Sequence, residues 1–225
     1  MLTVHHLNNS RSQRILWLLE ELGLPYEIKR YQRDPSTMLA PKELKAIHPL
    51  GKSPLLTDDT ANGRLTIAES GAIIEYLLDT YGNGRLAPAR GSAEFLRYRF
   101  WLHYAEGSIM PLLVMKLVVG SVAKRAPWLV RPVAKGVVDG INKAFLGPQL
   151  KLHLSFIEAE LGKNSWFAGE ELTAADVQMS FPLEAASVRA GGAAMPNIDA
   201  FVKRIRARPA YQRALEKGGK FELGS

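Results

Sequence analysis

The chain has 225 residues, 47% of them hydrophobic, so it is long enough to bury the core of one large domain or of two smaller ones. It contains no cysteine, which excludes disulfides, thiolate metal sites and any mechanism that needs a thiol of the enzyme. The net charge of +7 is compatible with anionic partners, but most cations are interspersed with acidic residues, so we expect a solvated surface and no nucleic-acid partner.

The first part of the chain alternates strand and helix signals. Residues 2–7 predict a strand, and Ser12 is the predicted N-cap of a helix whose apolar stripe stops at Gly23. Residues 26–31 alternate like a second strand, and residues 35–47 predict a loop with a short helix. The chain therefore begins with a strand-helix-strand unit.

A hairpin and a further helix follow. Residues 54–57 and 64–67 flank Asn62 and Gly63, a pair that favours a hairpin turn because both residue types tolerate positive φ. A helix is predicted to begin near Ser70. The complete order is strand, helix, strand, helix, strand, strand, helix.

The pattern changes after a linker rich in glycine and proline. From about residue 92 onward only helical periodicity is evident, so we predict an α/β domain over residues 1–83 and an all-helical domain over residues 92–225. The start has no leader-like pattern, and no uninterrupted apolar run approaches about 18 residues. We expect a soluble cytoplasmic protein.

Three polar segments lie where predicted strands meet turns or helices. They are residues 8–14, the Ser53-Pro54 bond before the third strand, and the Glu69-Ser70 pair that opens a helix. A helix N-terminus attracts carboxylates, and an X-Pro bond can adopt the cis form at a cost of only about 0.5–1 kcal/mol, which allows a bend that exposes backbone groups. Each segment alone also fits an ordinary turn or cap, so their combination at one end of a sheet predicts a binding site.

These motifs resemble those of the serine-type cytosolic glutathione transferases. Residues 10–14, SRSQR, resemble the Ser-x-Pro-x-Arg turn of that family, and residues 48–54, HPLGKSP, resemble its Asn-Pro-x-Gly-x-Val-Pro segment. The Glu69-Ser70 pair and the capping box at residues 173–176, TAAD, also match. The resemblance covers essentially the whole chain and is strongest to the bacterial and fungal branch with a Leu-Asn-x-Ser-Arg-Ser turn.

The resemblance implies a thioredoxin-like N-terminal domain, in which the proline bond before the third strand is cis, followed by a helical bundle domain. It also implies that Ser10 donates a hydrogen bond to the glutathione sulfur, although Asn9 is an alternative donor. The γ-glutamyl end would lie against Glu69 and Ser70, and the cysteinyl backbone would pair with Ser53. The implied glutathione-binding residues are Lys52, Ser53, Pro54, Glu69 and Ser70.

The implied function is that of a cytoplasmic, homodimeric detoxification enzyme. It would use glutathione as co-substrate, without a metal, to conjugate hydrophobic electrophiles or to reduce peroxides. The alternative is a non-catalytic binding or regulatory module of the same fold, and a retained thiolate donor favours the enzyme. The adjacent His5 and His6 are expected to be structural because neighbouring strand residues point to opposite faces.

Some residues depart from the family pattern, and the role of others has two possible interpretations. Ser12 replaces the usual proline and leaves the turn less rigid, and Arg11 is either solvated or favours the thiolate. Besides Arg11, the electrophile-pocket candidates lie in the first long helix of the second domain, where we expect about half of the residues considered to be core residues instead. These candidates are Tyr104, Met110 and Met115.

The segment 107–138 contains five basic residues and no Asp or Glu among many apolar residues. The family resemblance suggests that it interrupts the helical domain. We expect a hydrophobic, basic insertion that roofs the substrate pocket. The second interpretation is weak contact with an anionic membrane surface, to which each Lys or Arg contributes roughly 1 kcal/mol.

Overall fold

The computed structural model describes residues 1–60, 63–189, 195–221 and 223. Its N-terminal domain is a four-stranded mixed sheet in the order β2-β1-β3-β4, with β1 parallel to β2 and antiparallel to β3. The order confirms the thioredoxin-like prediction. The strands are β1 Leu2–Leu7, β2 Tyr26–Tyr31, β3 Leu55–Thr60 and β4 Gly63–Ala68.

Two helices complete this domain: α1 spans Ser12–Leu22 and α2 spans Ser70–Tyr81. A short 3-10 helix at Lys42–Ala46 occupies the predicted loop. Helix α1 is buried nearly all round because the sheet covers one side of it and helices of the second domain cover the other. The first domain is therefore fixed directly to the second.

The structure corrects one prediction about α1. Arg11, and not Ser12, is the N-cap residue, and its side chain makes no capping hydrogen bond. The Ser12 hydroxyl instead lies against the Leu7 backbone, where it accepts from the amide over 3.2 Å. The Ser53-Pro54 bond is cis, as predicted, while the predicted turn residue Asn62 lies outside the described residues.

The second domain is helical, as predicted, and begins after a stretch without helix or strand between Tyr81 and Ala93. Its aromatic core includes Trp101, Phe167 and Phe201, with Phe167 in ring contact with the other two. Its described helices are α3 Ala93–Tyr104, α4 Met110–Arg125, α5 Arg131–Ile141, α6 Gly147–Leu161, α7 Ala174–Arg189, α8 Pro196–Arg206 and α9 Pro209–Gly218.

A π-helical turn at Ala105–Ile109 joins α3 and α4 into one continuous helix, and a second π turn at Asn142–Leu146 joins α5 and α6. The continuous helix Ala93–Arg125 is long and apolar enough to span a membrane by length and composition alone. Its first half, however, packs against α7 in the core of the helical domain. We therefore interpret it as a core helix that extends beyond the body of the domain.

The predicted capping box at the start of α7 is only partly formed. The Asp176 carboxylate accepts from the Thr173 amide over 2.8 Å, as expected. The Thr173 hydroxyl donates to the same carboxylate instead of capping the Asp176 amide, which donates to the Thr173 carbonyl. A third donor, the Phe167 amide, explains this arrangement, because the buried carboxylate collects all three hydrogen bonds.

Candidate active site

The sheet register brings the three predicted polar segments together. His5 of β1 lies opposite Leu55, the first residue of β3, and Leu55 lies opposite Ala68, the last residue of β4. The end of β1, the start of β3 and the end of β4 therefore meet at one edge. The turn before α1 comes directly after β1, the Ser53-Pro54 bend comes directly before β3, and α2 begins directly after β4. The three segments therefore lie close together.

A chain of serine hydroxyls lies beside the start of α1. The Ser10 Oγ is 2.8 Å from the Ser12 Oγ and 3.4 Å from the Ser53 Oγ. The Ser12 amide donates to the Ser10 Oγ over 3.2 Å, and the Ser53 hydroxyl donates to the His5 carbonyl. Because the Ser10 oxygen already accepts from an amide, its proton can be donated to Ser12, to Ser53 or to a ligand atom.

His6 lies at the inner end of this chain, with its Nδ1 2.9 Å from the Ser12 Oγ. The ring is buried. Burial, assisted by the charge of Arg30 and opposed by a hydrogen bond to the Gly218 backbone, lowers the pKa of His6 to about 4. The imidazole is therefore uncharged at neutral pH.

The alternative donor, Asn9, has a positive φ of 48°. Its carbonyl accepts from the Arg33 guanidinium over 3.1 Å, while the neighbouring Asn8 side chain accepts from the Arg33 amide. These contacts shape the turn through its backbone. The geometry favours Ser10, whose hydroxyl lies beside Ser53, but the identity of the sulfur donor stays a prediction.

A cleft of about 230 Å³ opens next to the serine chain. It gathers all five residues that the family resemblance assigns to glutathione, although Ser10 itself does not line it. Sequence reasoning missed the other three lining residues: Leu50 occupies a variable position of the HPLGKSP segment, and Ala68 and Glu106 carry no motif signal. The cleft is lined by Arg11, Leu50, Lys52, Ser53, Pro54, Ala68, Glu69, Ser70 and Glu106.

Glu69 holds an uncommon backbone conformation, with φ of 69° and ψ of 123°. Such conformations in residues other than glycine cost on the order of 1–3 kcal/mol and concentrate at functional sites. The strain occurs at the junction between β4 and α2. It directs the chain so that Ser70 begins the helix at the cleft, with the Ser70 side chain buried.

Glu106 enters the site from the π turn of the second domain. Its carboxylate accepts from the Arg11 Nε over 2.9 and 3.0 Å and from the Arg14 guanidinium. Arg11 is thus ion-paired, an arrangement that neither sequence-based interpretation of this cation included. No sequence signal marks Glu106, because the partners are more than 90 residues apart.

Burial and the charges within the cluster act in opposite directions on the pKa values of Arg14 and Glu106. The Arg14 side chain is 1% exposed, and burial lowers its pKa to about 10 against the opposing effect of Glu106. Burial also acts to raise the pKa of the Glu106 carboxyl, but the two guanidinium groups outweigh it and hold that pKa below its ordinary value. Glu106 is therefore ionised, and it compensates the charges of Arg11 and Arg14 beside the cleft.

The second domain also contacts the start of α2. Gln178 of α7 donates from its Nε2 to the Ser70 Oγ over 3.3 Å, and the Gln178 carbonyl accepts from Arg14 over 2.6 Å. Both side chains of the first contact are buried. Nothing in the sequence around Gln178 indicates this role.

The electrophile-pocket candidates are more dispersed. Tyr104 is buried against aromatic residues and is hydrogen-bonded to His153 of α6. Met110 is also buried in the helical core, whereas Met115 is 41% exposed on α4. Of these candidates only Arg11 lines the cleft beside Ser53, so a role of the other three in electrophile binding stays a prediction.

The described residues contain no group of three or more His, Asp or Glu side chains that could hold a metal ion. His5 is hydrogen-bonded through its Nδ1 to the Tyr31 hydroxyl over 3.0 Å. His6, as described above, contacts Ser12. Both imidazoles thus have structural partners.

Comparison with known proteins identifies the family. The profile of the glutathione S-transferase N-terminal domain matches residues 10–80, and that of the C-terminal domain matches residues 143–209. Glutathione S-transferase 3 of Schizosaccharomyces pombe is 39% identical over 219 residues, which cover 96% of this chain and 88% of that protein. The chain therefore belongs to the glutathione S-transferase family.

Solved structures agree with this assignment. A glutathione S-transferase from Actinobacillus pleuropneumoniae is 37% identical, with a TM-score of 0.83 over 99% of this chain and 95% of that one. A family member from Pseudomonas fluorescens, solved with two glutathione molecules bound, is 26% identical, with a TM-score of 0.74 over 96% of this chain and 92% of that one.

Proposed function

We propose that this transferase binds glutathione in the cleft beside Ser53 and uses the Ser10 hydroxyl to stabilise the thiolate, which then attacks a hydrophobic electrophile. The observation that carries the proposal is the convergence of Lys52, Ser53, Glu69 and Ser70 on one cleft next to the Ser10 hydroxyl. The glutathione bound in the structure of the Pseudomonas fluorescens relative supports it.

The chemistry of the lining residues matches the groups of the tripeptide. The amide and hydroxyl of Ser70, at the N-terminus of α2, suit the γ-glutamyl carboxylate. The Glu69 carboxylate suits the α-amino group, and Lys52 suits the glycyl carboxylate. The backbone of Ser53 is available to pair with the cysteinyl residue in the manner of an added strand.

The enzyme must increase the fraction of glutathione that is ionised. A thiol with a pKa of about 8.5 is mostly protonated at neutral pH, and each unit by which its pKa falls requires about 1.4 kcal/mol of additional thiolate stabilisation. A hydrogen bond from Ser10 beside the start of α1 is suited to supply this. The sulfur then forms a bond to the electrophilic carbon while the leaving group departs with its electron pair.

We also propose that the protein is a cytoplasmic homodimer that acts in detoxification. An exposed apolar stripe on α3 and α6 supports the dimer, since Leu96 is 73% and Leu152 is 62% exposed. On the same stripe Phe100 and Phe156 pack edge to face with ring centroids 6.2 Å apart. Replacement of Phe100 by Glu should shift the mass measured by light scattering from dimer to monomer.

The test of the catalytic proposal uses glutathione and chlorodinitrobenzene, with peroxide reduction measured in parallel. Ser10→Ala should raise the pKa of bound glutathione, read from thiolate absorbance against pH, and should lower kcat. Asn9→Ala is the matched control and should do less. Absence of glutathione binding to the wild-type protein at millimolar concentration would refute the function, whereas greater damage by Asn9→Ala would refute only the assignment of Ser10.

A further inference from the structure

The connection between α4 and α5 forms the tip of a helical hairpin, residues 124–135, with the sequence KRAPWLVRPVAK. Helix α4 ends at Arg125, a turn follows, and α5 begins at Arg131. The two helices pack against each other. We refer to residues 124–135 as the hairpin tip.

The apolar residues of the hairpin tip face solvent. Trp128 is 80%, Leu129 is 72% and Val133 is 71% exposed. The other tryptophans of the chain, Trp17, Trp101 and Trp166, are all buried. Contiguous exposed apolar residues of this size mark a contact surface, because a free soluble surface gains nothing from them.

The charged residues of the tip are all basic. Lys124, Arg125, Arg131 and Lys135 are exposed, and none of them belongs to an ion pair found among the described residues. The acidic residue nearest the tip in sequence is the exposed Asp139 of α5, four residues after Lys135, and it belongs to no ion pair found among the described residues. The preceding acidic residue, Glu106, is ion-paired with two arginines. The tip therefore combines an excess of positive charge with exposed apolar side chains.

No residue of the segment 107–138 lines the cleft beside Ser53 that we assign to glutathione, and the roof over the electrophile pocket stays a prediction. The charge distribution argues against a symmetric contact between two tips, because such a contact would oppose four cations to four cations without a carboxylate between them. At 1.5 Å per residue, the tip begins roughly 35–40 Å along the helix from Phe100 of the apolar stripe, so it is a separate surface.

We propose that the hairpin tip docks on the surface of an anionic lipid bilayer. Trp128, Leu129 and Val133 enter the interfacial region, where amphipathic aromatic rings are favoured. The four cations lie at the level of the headgroups and attract anionic lipids. The mode of binding is shallow and reversible, as for other surfaces that combine a small apolar area with basic residues.

The test measures binding of the full-length protein to vesicles of phosphatidylcholine alone and of phosphatidylcholine mixed with phosphatidylserine in equal parts. We expect co-sedimentation with the anionic vesicles only, and its loss in high salt. Trp128 is an internal probe: its emission should shift to the blue on binding, and Trp128→Phe should abolish the shift. The buried tryptophans supply a constant background.

Matched variants separate charge from apolar contact. Lys124→Glu/Arg125→Glu should lower the vesicle partition coefficient at least about tenfold, whereas Lys42→Glu/Lys203→Glu, which changes the net charge equally at exposed positions elsewhere, should change it little. Leu129→Ser should weaken binding, while Leu39→Ser, at a leucine that is 61% exposed outside the tip, should not.

Three results would overturn the proposal. The first is a lack of binding to anionic vesicles, and the second is an equal loss of binding in the tip variants and their controls. The third is a change in the molecular mass of a tip variant without vesicles, which would assign the tip to an interface between copies of the chain. Unfolding midpoints of all variants should equal that of the wild type, because the substituted side chains are exposed.

Discussion

The Nε2 atom of Gln178, in the helical domain, donates a hydrogen bond of 3.3 Å to the Oγ atom of Ser70, the first residue of α2. This contact crosses between the two domains and reaches the residue that we expect to bind the γ-glutamyl carboxylate. It fixes the direction of the Ser70 lone pairs and proton. The helical domain therefore helps to shape the part of the cleft that we assign to glutathione.

The first prediction concerns this contact. Gln178→Leu removes the donor to Ser70, so the KM for glutathione should rise roughly three- to tenfold, as expected for one neutral hydrogen bond of about 1 kcal/mol. The kcat should change less, because the sulfur is held by other groups. Steady-state kinetics at saturating electrophile measure both, with the exposed Gln212→Leu as control. An unchanged KM in a correctly folded variant would contradict the proposed role of Gln178.

The second prediction concerns the charge partner of Arg14. Glu106→Gln leaves the Arg14 guanidinium, which is 1% exposed, without a carboxylate. Removal of one member of a buried ion pair typically costs about 3–5 kcal/mol; because Glu106 itself is 31% exposed, solvent screening should reduce this to about 1–3 kcal/mol. Urea denaturation measures the free energy of unfolding, and Glu216→Gln at an exposed position is the control. Equal stabilities of the two variants would show that solvent compensates Arg14.

Local motifs of the site could be predicted from the sequence, whereas its long-range partners could not. The Ser53-Pro54 bend and the Glu69-Ser70 helix start are each encoded within a few neighbouring residues. Glu106 and Gln178 reach the site only because α7 packs against α1, and because α3, α4 and the π turn between them pack against α7. Their positions depend on tertiary packing that no spacing in the chain records.

Ser12 shows how a correct signal can be misassigned by one residue. Serine before an apolar helical stripe normally indicates an N-cap, and the helix does begin there. The hydroxyl, however, is held by His6 and by the Leu7 backbone, on strand β1, so it cannot cap its own helix. The partner that changes its role belongs to a different element.

The third prediction follows from these contacts. Ser12→Ala should lower the free energy of unfolding by about 1–3 kcal/mol, because the buried His6 Nδ1 and the Leu7 amide each lose a hydrogen-bond partner. Chemical denaturation at neutral pH provides the measurement. The partly exposed Ser121→Ala, which removes only a bond to the carbonyl of Val118, should cost much less. A stability loss no larger than that of the control would mean that the buried groups find other partners.

The last prediction is a pH dependence of stability that originates from His6. Burial, with a smaller effect of Arg30, lowers the pKa of this imidazole from 6.5 to about 4 in the folded protein. Between these values the unfolded chain binds a proton that the folded protein does not, so stability is fully present above pH 6.5 and falls as the pH decreases toward 4. A difference of about 2.5 units corresponds to roughly 3 kcal/mol at most.

His6→Asn keeps a polar atom near the position of Nδ1 but cannot titrate in this range. Its free energy of unfolding, measured in urea across the same window, should therefore decline less steeply with falling pH than that of the wild type, even if it starts lower. Parallel pH profiles of the two proteins would instead assign the acid sensitivity to other groups.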